Sequence, residues 1–151
     1  MPIPGYSYGT GKTDMKKSTP KKVTIGQTAQ TSKRITQTDL TYYAAATGDF
    51  NPIHFDRVYA AQTRFKEPIA HGMIAAGLIS GLIGMKLPGP GTIYLKQTLH
   101  FLAPVKIADI ITACVEVLDL LEKNRVLLKT TCINKDGIMV LEGGALVIAP
   151  K

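Results

Sequence analysis

An acidic side chain and an imidazole, Asp49 and His54, lie five positions apart in the stretch GDFNPIHFD at residues 48–56. Both are groups that transfer protons in enzymes, so together they could activate a water molecule. Residues five apart on a continuous helix point in different directions, and Pro52 disfavours helical geometry at Asn51. The two side chains can therefore meet only if the chain turns sharply between them.

The flanking residues predict such a turn. A helix predicted over residues 37–47 should end at Gly48, because glycine is preferred just past the C-terminus of a helix. The Asn-Pro pair at residues 51–52 then breaks the path, and a second helical stretch is predicted from His54 to about Gln62. Two short helices would meet at a corner, with the carboxylate and the imidazole facing into it.

A further element that could take part in catalysis is the stretch HGMIAAGLISGLIGMKL, residues 71–87. It is apolar almost all round. This pattern predicts a helix buried on every side. The apolar run is shorter than the ~20 residues that a bilayer span needs, so we expect a core helix and no membrane span. The N–H groups at its start, near His71 and Gly72, lack intrahelical partners and carry the positive end of the helix dipole. They suit an oxyanion beside an apolar space that could accept an acyl chain.

From residue 92 onward the spacing of the hydrophobic residues changes to the two-residue alternation that is typical of strands. Four long runs rich in β-branched residues follow, and NKDG at residues 134–137 is typical of a hairpin turn between the last two. Short strand material is also predicted near residues 23–25. Together these elements predict an α+β fold in which a curved antiparallel sheet wraps around the helix of residues 71–87.

The charge is concentrated at the N-terminus. The formal net charge is +7, but residues 1–40 hold seven Lys and Arg against two Asp, whereas residues 41–151 hold eleven basic and nine acidic side chains. We therefore expect no nucleic-acid partner. Residues 1–21 are predicted to form a basic, flexible tail, and residues 22–151 a single domain.

The two cysteines, Cys114 and Cys132, lie in apolar stretches without CxxC spacing and are predicted to be free thiols in a reducing compartment. No apolar segment typical of a secretory signal occurs in residues 1–20. A cytoplasmic location is the resulting prediction. Three histidines without metal-ligand spacing give little support for a metal site.

Three stretches, ATGDFNPIHFD, FKEPIAHGM and QTLHFLAPVKIAD, together resemble the MaoC-like (R)-specific enoyl-CoA hydratases, which have a hotdog fold. The resemblance covers about residues 23–150. It implies that Asp49 and His54 activate a water that adds to C3 of a trans-2-enoyl-CoA, with C2 protonated on the same face. The amide of Gly72 would be the oxyanion donor, and Asn51 would support the turn.

The resemblance carries further expectations. His71 is assigned to the substrate site with Gly72, although its side chain could serve only to brace the start of the helix. Several hydratases of this type have serine six residues after that histidine, where this chain has Gly77, so the acyl pocket is expected to differ in shape. No metal or redox cofactor is implied, since the substrate carries coenzyme A, and a homodimer is expected.

Two other functions stay open. A hotdog thioesterase would use the same acyl-CoA recognition but direct water at the thioester carbonyl. A non-catalytic acyl-CoA-binding module would need a lost acid/base pair or a DNA-binding element, and neither is seen. The spacing of Asp49 and His54 favours hydration.

Overall fold

The computed structural model describes residues 22–151, and the predicted basic tail of residues 1–21 lies outside the described part. Five strands and four helices are present in this part of the chain. In chain order they are β1 (Thr28–Arg34), α1 (Gln37–Thr47), α2 (Pro52–Phe55), α3 (Arg57–Gln62), α4 (Gly72–Met85), β2 (Ile93–Phe101), β3 (Ile110–Leu121), β4 (Arg125–Ile133) and β5 (Met139–Ile148).

The strands form one antiparallel sheet in the order β1-β3-β4-β5-β2, which agrees with the predicted α+β class. The NKDG hairpin is confirmed, because the N–H of Gly137 donates to the carbonyl of Asn134 at 3.0 Å, with Gly137 at φ 78°. The short strand predicted near residues 23–25 is wrong. Those residues lead into a turn that the N–H of Gln27 closes on the carbonyl of Thr24, and the strand begins only at Thr28.

Helix α1 has the predicted boundaries because both of its ends are capped. The hydroxyl of Thr36 accepts from the N–H of Asp39, and the Asp39 carboxylate accepts in return from the N–H of Thr36 at 2.8 Å. At the other end Gly48 adopts a left-handed φ of 79°, and its N–H donates to the carbonyl of Ala44. Asp49 is therefore delivered directly past a fixed helix end.

The single helical stretch predicted from His54 to about Gln62 is wrong, since the structure has two helices there. The side chain of Asn51 caps α2 by accepting from the N–H of Ile53 at 3.2 Å. Asp56 then leaves helical geometry at φ −99° and ψ 111°. Its carboxylate accepts from two N–H groups in the first turn of α3, and this capping bond is worth about 1 kcal/mol. His54 thus lies inside the short helix α2.

Helix α4 has one buried face, so the prediction of burial on every side is also wrong. The residues facing the sheet are buried, whereas those on the opposite face are exposed. One five-stranded sheet can cover only one side of the helix. The buried residues are Ala75, Ile79, Leu82 and Ile83, and the exposed ones are Met73, Gly77, Ser80, Gly81 and Met85. Within residues 22–151 no helix is long and apolar enough to cross a membrane.

Strand β2 is an edge strand with apolar side chains in solvent. Among residues 22–151 it pairs with β5 alone, and its register shifts between Tyr94 and Lys96, which interrupts the strand alternation predicted from residue 92 onward. Leu99 packs against the core, whereas Ile93 and Leu95 are exposed. An unpaired edge of this kind can pair with another strand.

Candidate active site

The structure brings Asp49, His54 and His71 together. Each offers one oxygen or nitrogen atom, and these three atoms lie within 4.8 Å of one another. Asp49 is placed by the end of α1, His54 by α2, and His71 is the residue that precedes α4. The corner expected from the Gly48 helix end and the Asn-Pro break therefore exists.

His54 is oriented by a main-chain carbonyl. Its Nδ1 lies 2.8 Å from the carbonyl oxygen of Ile69. A carbonyl oxygen only accepts, so the Nδ1–H donates, and the Nε2 of the neutral ring keeps a free lone pair. The His54 and His71 rings stack with centroids 3.8 Å apart. The result is a fixed imidazole with one nitrogen able to accept a proton.

Burial lowers the pKa of His54 from its ordinary value of 6.5. Only 9% of the residue is exposed, and burial disfavours the charged ring. The hydrogen bond to Ile69 and the carboxylate of Asp49 act in the opposite direction, while a charge on His71 would lower the pKa further. Near pH 7 the ring is therefore neutral, which is the state that a general base requires.

Asp49 is held by its backbone neighbours, and 46% of its side chain is exposed. Its Oδ1 accepts from the N–H of Asn51 at 3.3 Å, and its own N–H donates to the hydroxyl of Thr47 at 3.3 Å. The Oδ2 atom lies 4.0 Å from Nε2 of His71. The carboxylate thus stands at the solvent side of the cluster, where it is charged and able to contact water.

His71 joins the two halves of the corner. Its Nε2–H donates to the main-chain carbonyl of Asp49 at 2.9 Å, and its ring contacts the ring of Tyr43 at 4.7 Å between centroids. Its Nδ1 is buried and has no hydrogen-bond partner among residues 22–151. These contacts account for a bracing function, because His71 ties the turn that carries Asp49 to the start of α4.

A cavity of about 350 Å³ opens beside His54 and is mostly apolar. Gly72 forms part of its wall, so the first turn of α4 borders the same space as the imidazole. Among the other predicted site residues, Asp49, Asn51, His71 and Gly77 do not line this cavity, and Gly77 lies on the exposed face of α4. The apolar lining includes Phe65, Ile69, Ala75, Phe101, Leu102, Val140 and Leu141.

The same three polar side chains could in principle ligate a metal ion, which their spacing in the sequence did not suggest. Two of their nitrogens are already engaged, since Nδ1 of His54 and Nε2 of His71 both donate to main-chain carbonyls. A metal bound through either of these nitrogens would have to displace a carbonyl. Proton transfer through Nε2 of His54 requires no such change.

Two contributors to the site give no clear signal of their own in the sequence. The carbonyl of Ile69 selects the His54 tautomer, and a main-chain group leaves no sequence signal. Phe101 lies so close to Gly72 that a Cβ there would sit 2.8 Å from two of its ring carbons. Phe101 belongs to the HFLAPV stretch, which was informative only as part of a family pattern.

Comparisons with known proteins find matches over most of the chain. The MaoC like domain family model matches residues 16–136. A 3-hydroxybutyryl-CoA dehydratase from Methylorubrum extorquens is 48% identical over 128 residues, covering 84% of this chain and 81% of that protein. An (R)-specific enoyl-CoA hydratase from Rhodospirillum rubrum is 47% identical over 126 residues, covering 83% and 87%. The solved R-hydratase of Pseudomonas aeruginosa superposes with a TM-score of 0.82 at 49% identity, covering 85% and 83%.

The chain therefore belongs to the MaoC-like family. The resemblance inferred from the motifs is confirmed, and so is the hotdog fold.

Proposed function

We propose that this protein catalyses the reversible hydration of trans-2-enoyl-CoA to (R)-3-hydroxyacyl-CoA. The names of its relatives from Methylorubrum extorquens and Rhodospirillum rubrum support this class of reaction. The observation that carries it is the placement of His54 and Gly72 on one apolar cavity, with Asp49 beside the imidazole. An acid/base group and an N–H donor then border the space where a short acyl thioester would lie.

The reaction needs a water, a proton and a stabilised oxyanion. Asp49 and His54 hold a water and remove its proton while its oxygen forms a bond to C3 of the enoyl group. The C2–C3 double-bond electrons move toward the thioester, and the enolate-like oxygen accepts from the N–H of Gly72. C2 then takes up, on the same face, a proton that the Asp49/His54 pair delivers, and the oxyanion collapses to the thioester.

We propose that no metal or redox cofactor takes part. Hydration transfers protons and a hydroxyl group, so no electrons pass between substrate and protein. Coenzyme A arrives as part of the substrate. The free Nε2 of His54 and the charged carboxylate of Asp49 supply the acid/base chemistry that the reaction needs.

The pH dependence should follow from the lowered pKa of His54. The active form has a neutral His54, so activity is complete above its pKa and falls as the pH drops through that value. Because burial lowers this pKa below 6.5, we expect the acid limb of kcat/KM for crotonyl-CoA hydration to lie below pH 6.5. A pH–rate profile of the free enzyme measures this limb. An acid limb above pH 6.5 would contradict the role of His54 as the base.

Adding a methyl group at Gly72 should disturb the cavity wall. The new Cβ would lie 2.8 Å from two ring carbons of Phe101, which also lines the cavity, so this ring must move. We expect Gly72→Ala to lower kcat/KM roughly tenfold, because small misplacements at a reacting centre are costly. Steady-state kinetics and Tm measure the effect. Gly84→Ala is the control, since a Cβ there meets no atom within 4 Å, and an equal loss in both variants would rule out this explanation.

We also propose that the protein is a homodimer. The exposed face of α4 and the unpaired edge of β2 together present apolar side chains, including Met85, Ile93 and Leu95. Pairing of two β2 edges would join the sheets of two protomers and cover these side chains. This arrangement would also bury the side of α4 that one sheet leaves open.

A cytoplasmic location is proposed on the basis of the thiols. Cys114 and Cys132 are both free, and Cys132 is fully buried. Burial raises the pKa of the Cys132 thiol to about 12, so it stays protonated and unreactive. Free thiols are usual where the surroundings are reducing.

Incubation with crotonyl-CoA tests the proposed reaction against its alternatives. Hydration removes the enoyl absorbance without releasing thiol, and chiral analysis should give the (R)-3-hydroxy product. Release of free coenzyme A without loss of the double bond would instead identify a thioesterase. Binding of the thioester without any turnover would identify a non-catalytic module.

A further inference from the structure

Exposed cationic and aliphatic side chains lie together at the end of the sheet where β3 turns into β4. We call this surface the hairpin patch and define it by two groups of residues. The cations are Lys22, Lys123, Arg125 and Lys151, and the aliphatic residues are Ile25, Leu118, Leu120 and Leu121. No step of the proposed hydration uses any of these side chains.

A cavity of about 380 Å³ lies within the hairpin patch. Three of the cations and two of the leucines line it, namely Lys22, Arg125, Lys151, Leu120 and Leu121. The N–H of Ala149 donates to the carbonyl of Asn124 at 2.9 Å, so the segment after β5 is held against the β3–β4 turn. Lys123, in the same turn, therefore lies beside this cavity.

Ile25 reaches the patch through the turn that precedes β1. The N–H of Gly26 donates to the carbonyl of Val117 at 2.8 Å, and the N–H of Val117 donates to the carbonyl of Gln27 at 2.9 Å. These bonds hold Ile25 next to the end of β3 that carries Leu118. Ile25 is 62% exposed and Leu118 is 45% exposed, so both side chains are available to a partner.

The hairpin patch and the active-site cavity lie at opposite ends of the sheet. Val140 and Leu141, at the start of β5, line the cavity beside His54, whereas Ala149 and Pro150, just after its end, line the cavity in the patch. A strand of 10 residues spans about 30 Å. A partner bound at the patch would therefore leave the active-site cavity open.

The charges of the patch favour an anionic partner. Among residues 22–151 its four cations form no ion pair with a carboxylate, although Asp119 and Glu122 lie in the same hairpin. Residues 1–21, which lead into Lys22, hold four lysines and one aspartate, so they add positive charge. A second copy of the chain, with a formal net charge of +7, would not neutralise the patch either.

The aliphatic side chains distinguish between anionic partners. Proteins bind single-stranded nucleic acid through cations together with aromatic side chains on which the bases stack, and no residue of the hairpin patch is aromatic. Exposed aliphatic side chains flanked by Lys and Arg fit a bilayer surface better. There the aliphatic groups enter the boundary between headgroups and acyl chains, and the cations contact anionic headgroups.

We propose that the hairpin patch binds the surface of a membrane that contains anionic lipids. Lys123 and Arg125 contact the headgroups, and Ile25 and the leucines enter the boundary below them. The active-site cavity, at the other end of the sheet, continues to face solvent. This inference does not depend on the proposed reaction, because binding to vesicles is measured without substrate.

Sedimentation of the full chain with vesicles tests this proposal. We expect binding to vesicles of phosphatidylcholine and phosphatidylserine but not to phosphatidylcholine alone. Lys123→Ala/Arg125→Ala should lower the partition coefficient about 25-fold, because each cation near an anionic surface is worth about fivefold. The control Lys129→Ala/Lys135→Ala removes the same charge from exposed positions farther along β4 and in the next turn. It should bind like the wild type, since charges beyond about 10 Å from the surface are screened.

Ile25→Ser tests the aliphatic contribution separately. We expect a roughly fivefold lower partition coefficient, because transfer of an exposed aliphatic side chain out of water favours the bound state. Ile138→Ser is the control, since Ile138 is 52% exposed in the β4–β5 turn, at the other end of the sheet. It should bind like the wild type, and Tm checks the folding of every variant.

Each of three results would overturn the proposal. The first is equal binding to neutral and anionic vesicles, or binding to neither. The second is an equal effect of the patch and control double variants. The third is unchanged binding of Ile25→Ser alongside a loss in Lys123→Ala/Arg125→Ala, which would indicate an acidic protein or a nucleic acid as the partner, because a purely electrostatic contact does not need the aliphatic side chain.

Discussion

Replacing His54 with asparagine is expected to lower kcat for crotonyl-CoA hydration by about 10²–10⁴-fold, the usual contribution of a positioned acid/base group. Asparagine can still donate toward the carbonyl of Ile69, but it has no basic nitrogen to replace Nε2. The loss should therefore appear in kcat more than in KM. Steady-state kinetics on the folded variant, with Tm as the check of folding, measures it.

The matched control is His100→Asn. His100 is exposed in β2 and does not line the cavity. We expect it to keep wild-type kcat. If His54→Asn retained wild-type kcat as well, the imidazole would have no part in the chemistry.

Asp49→Asn is expected to produce the second large loss, again about 10²–10⁴-fold in kcat. The amide keeps the size of the side chain and can still accept from the N–H of Asn51, so the turn should persist. What disappears is the negative charge beside the two histidines. Kinetics at several pH values measures the loss, which should not be recovered at high pH because an amide does not ionise in the accessible range.

Asp119→Asn provides the comparison for this change. Asp119 is likewise exposed and accepts from a backbone N–H, that of Leu120 at 2.8 Å, but it lies far along β3 from the site. Its kcat should be unchanged. A loss of the same size in both variants would mean that the effect reflects general charge and not the position of Asp49.

The corner that places the site was predictable because its signals are local. Gly48 ends α1 with a left-handed φ that glycine adopts readily, and Asn51 with Pro52 starts a new helix at once. Only the break at Asp56 was missed, although a capping aspartate is also a local signal. Local backbone chemistry therefore carries much of the information about the site.

The features that sequence could not supply depend on neighbours distant in the chain. The amino-acid composition of α4 alone suggested full burial. One face of the helix is exposed because a single sheet covers only the other face. The position of His54 on the apolar cavity, and its hydrogen bond to Ile69, likewise arise only when α2 packs against the segment before α4.

The central claim is that Asp49 and His54 act as one unit on one water. The most direct measurement compares kcat of the double variant Asp49→Asn/His54→Asn with that of each single variant. Groups that act as a unit are strongly non-additive, so the double variant should lose about as much as the worse single variant. Losses that multiply across the two sites, or a double variant that still hydrates crotonyl-CoA at the wild-type rate, would contradict it.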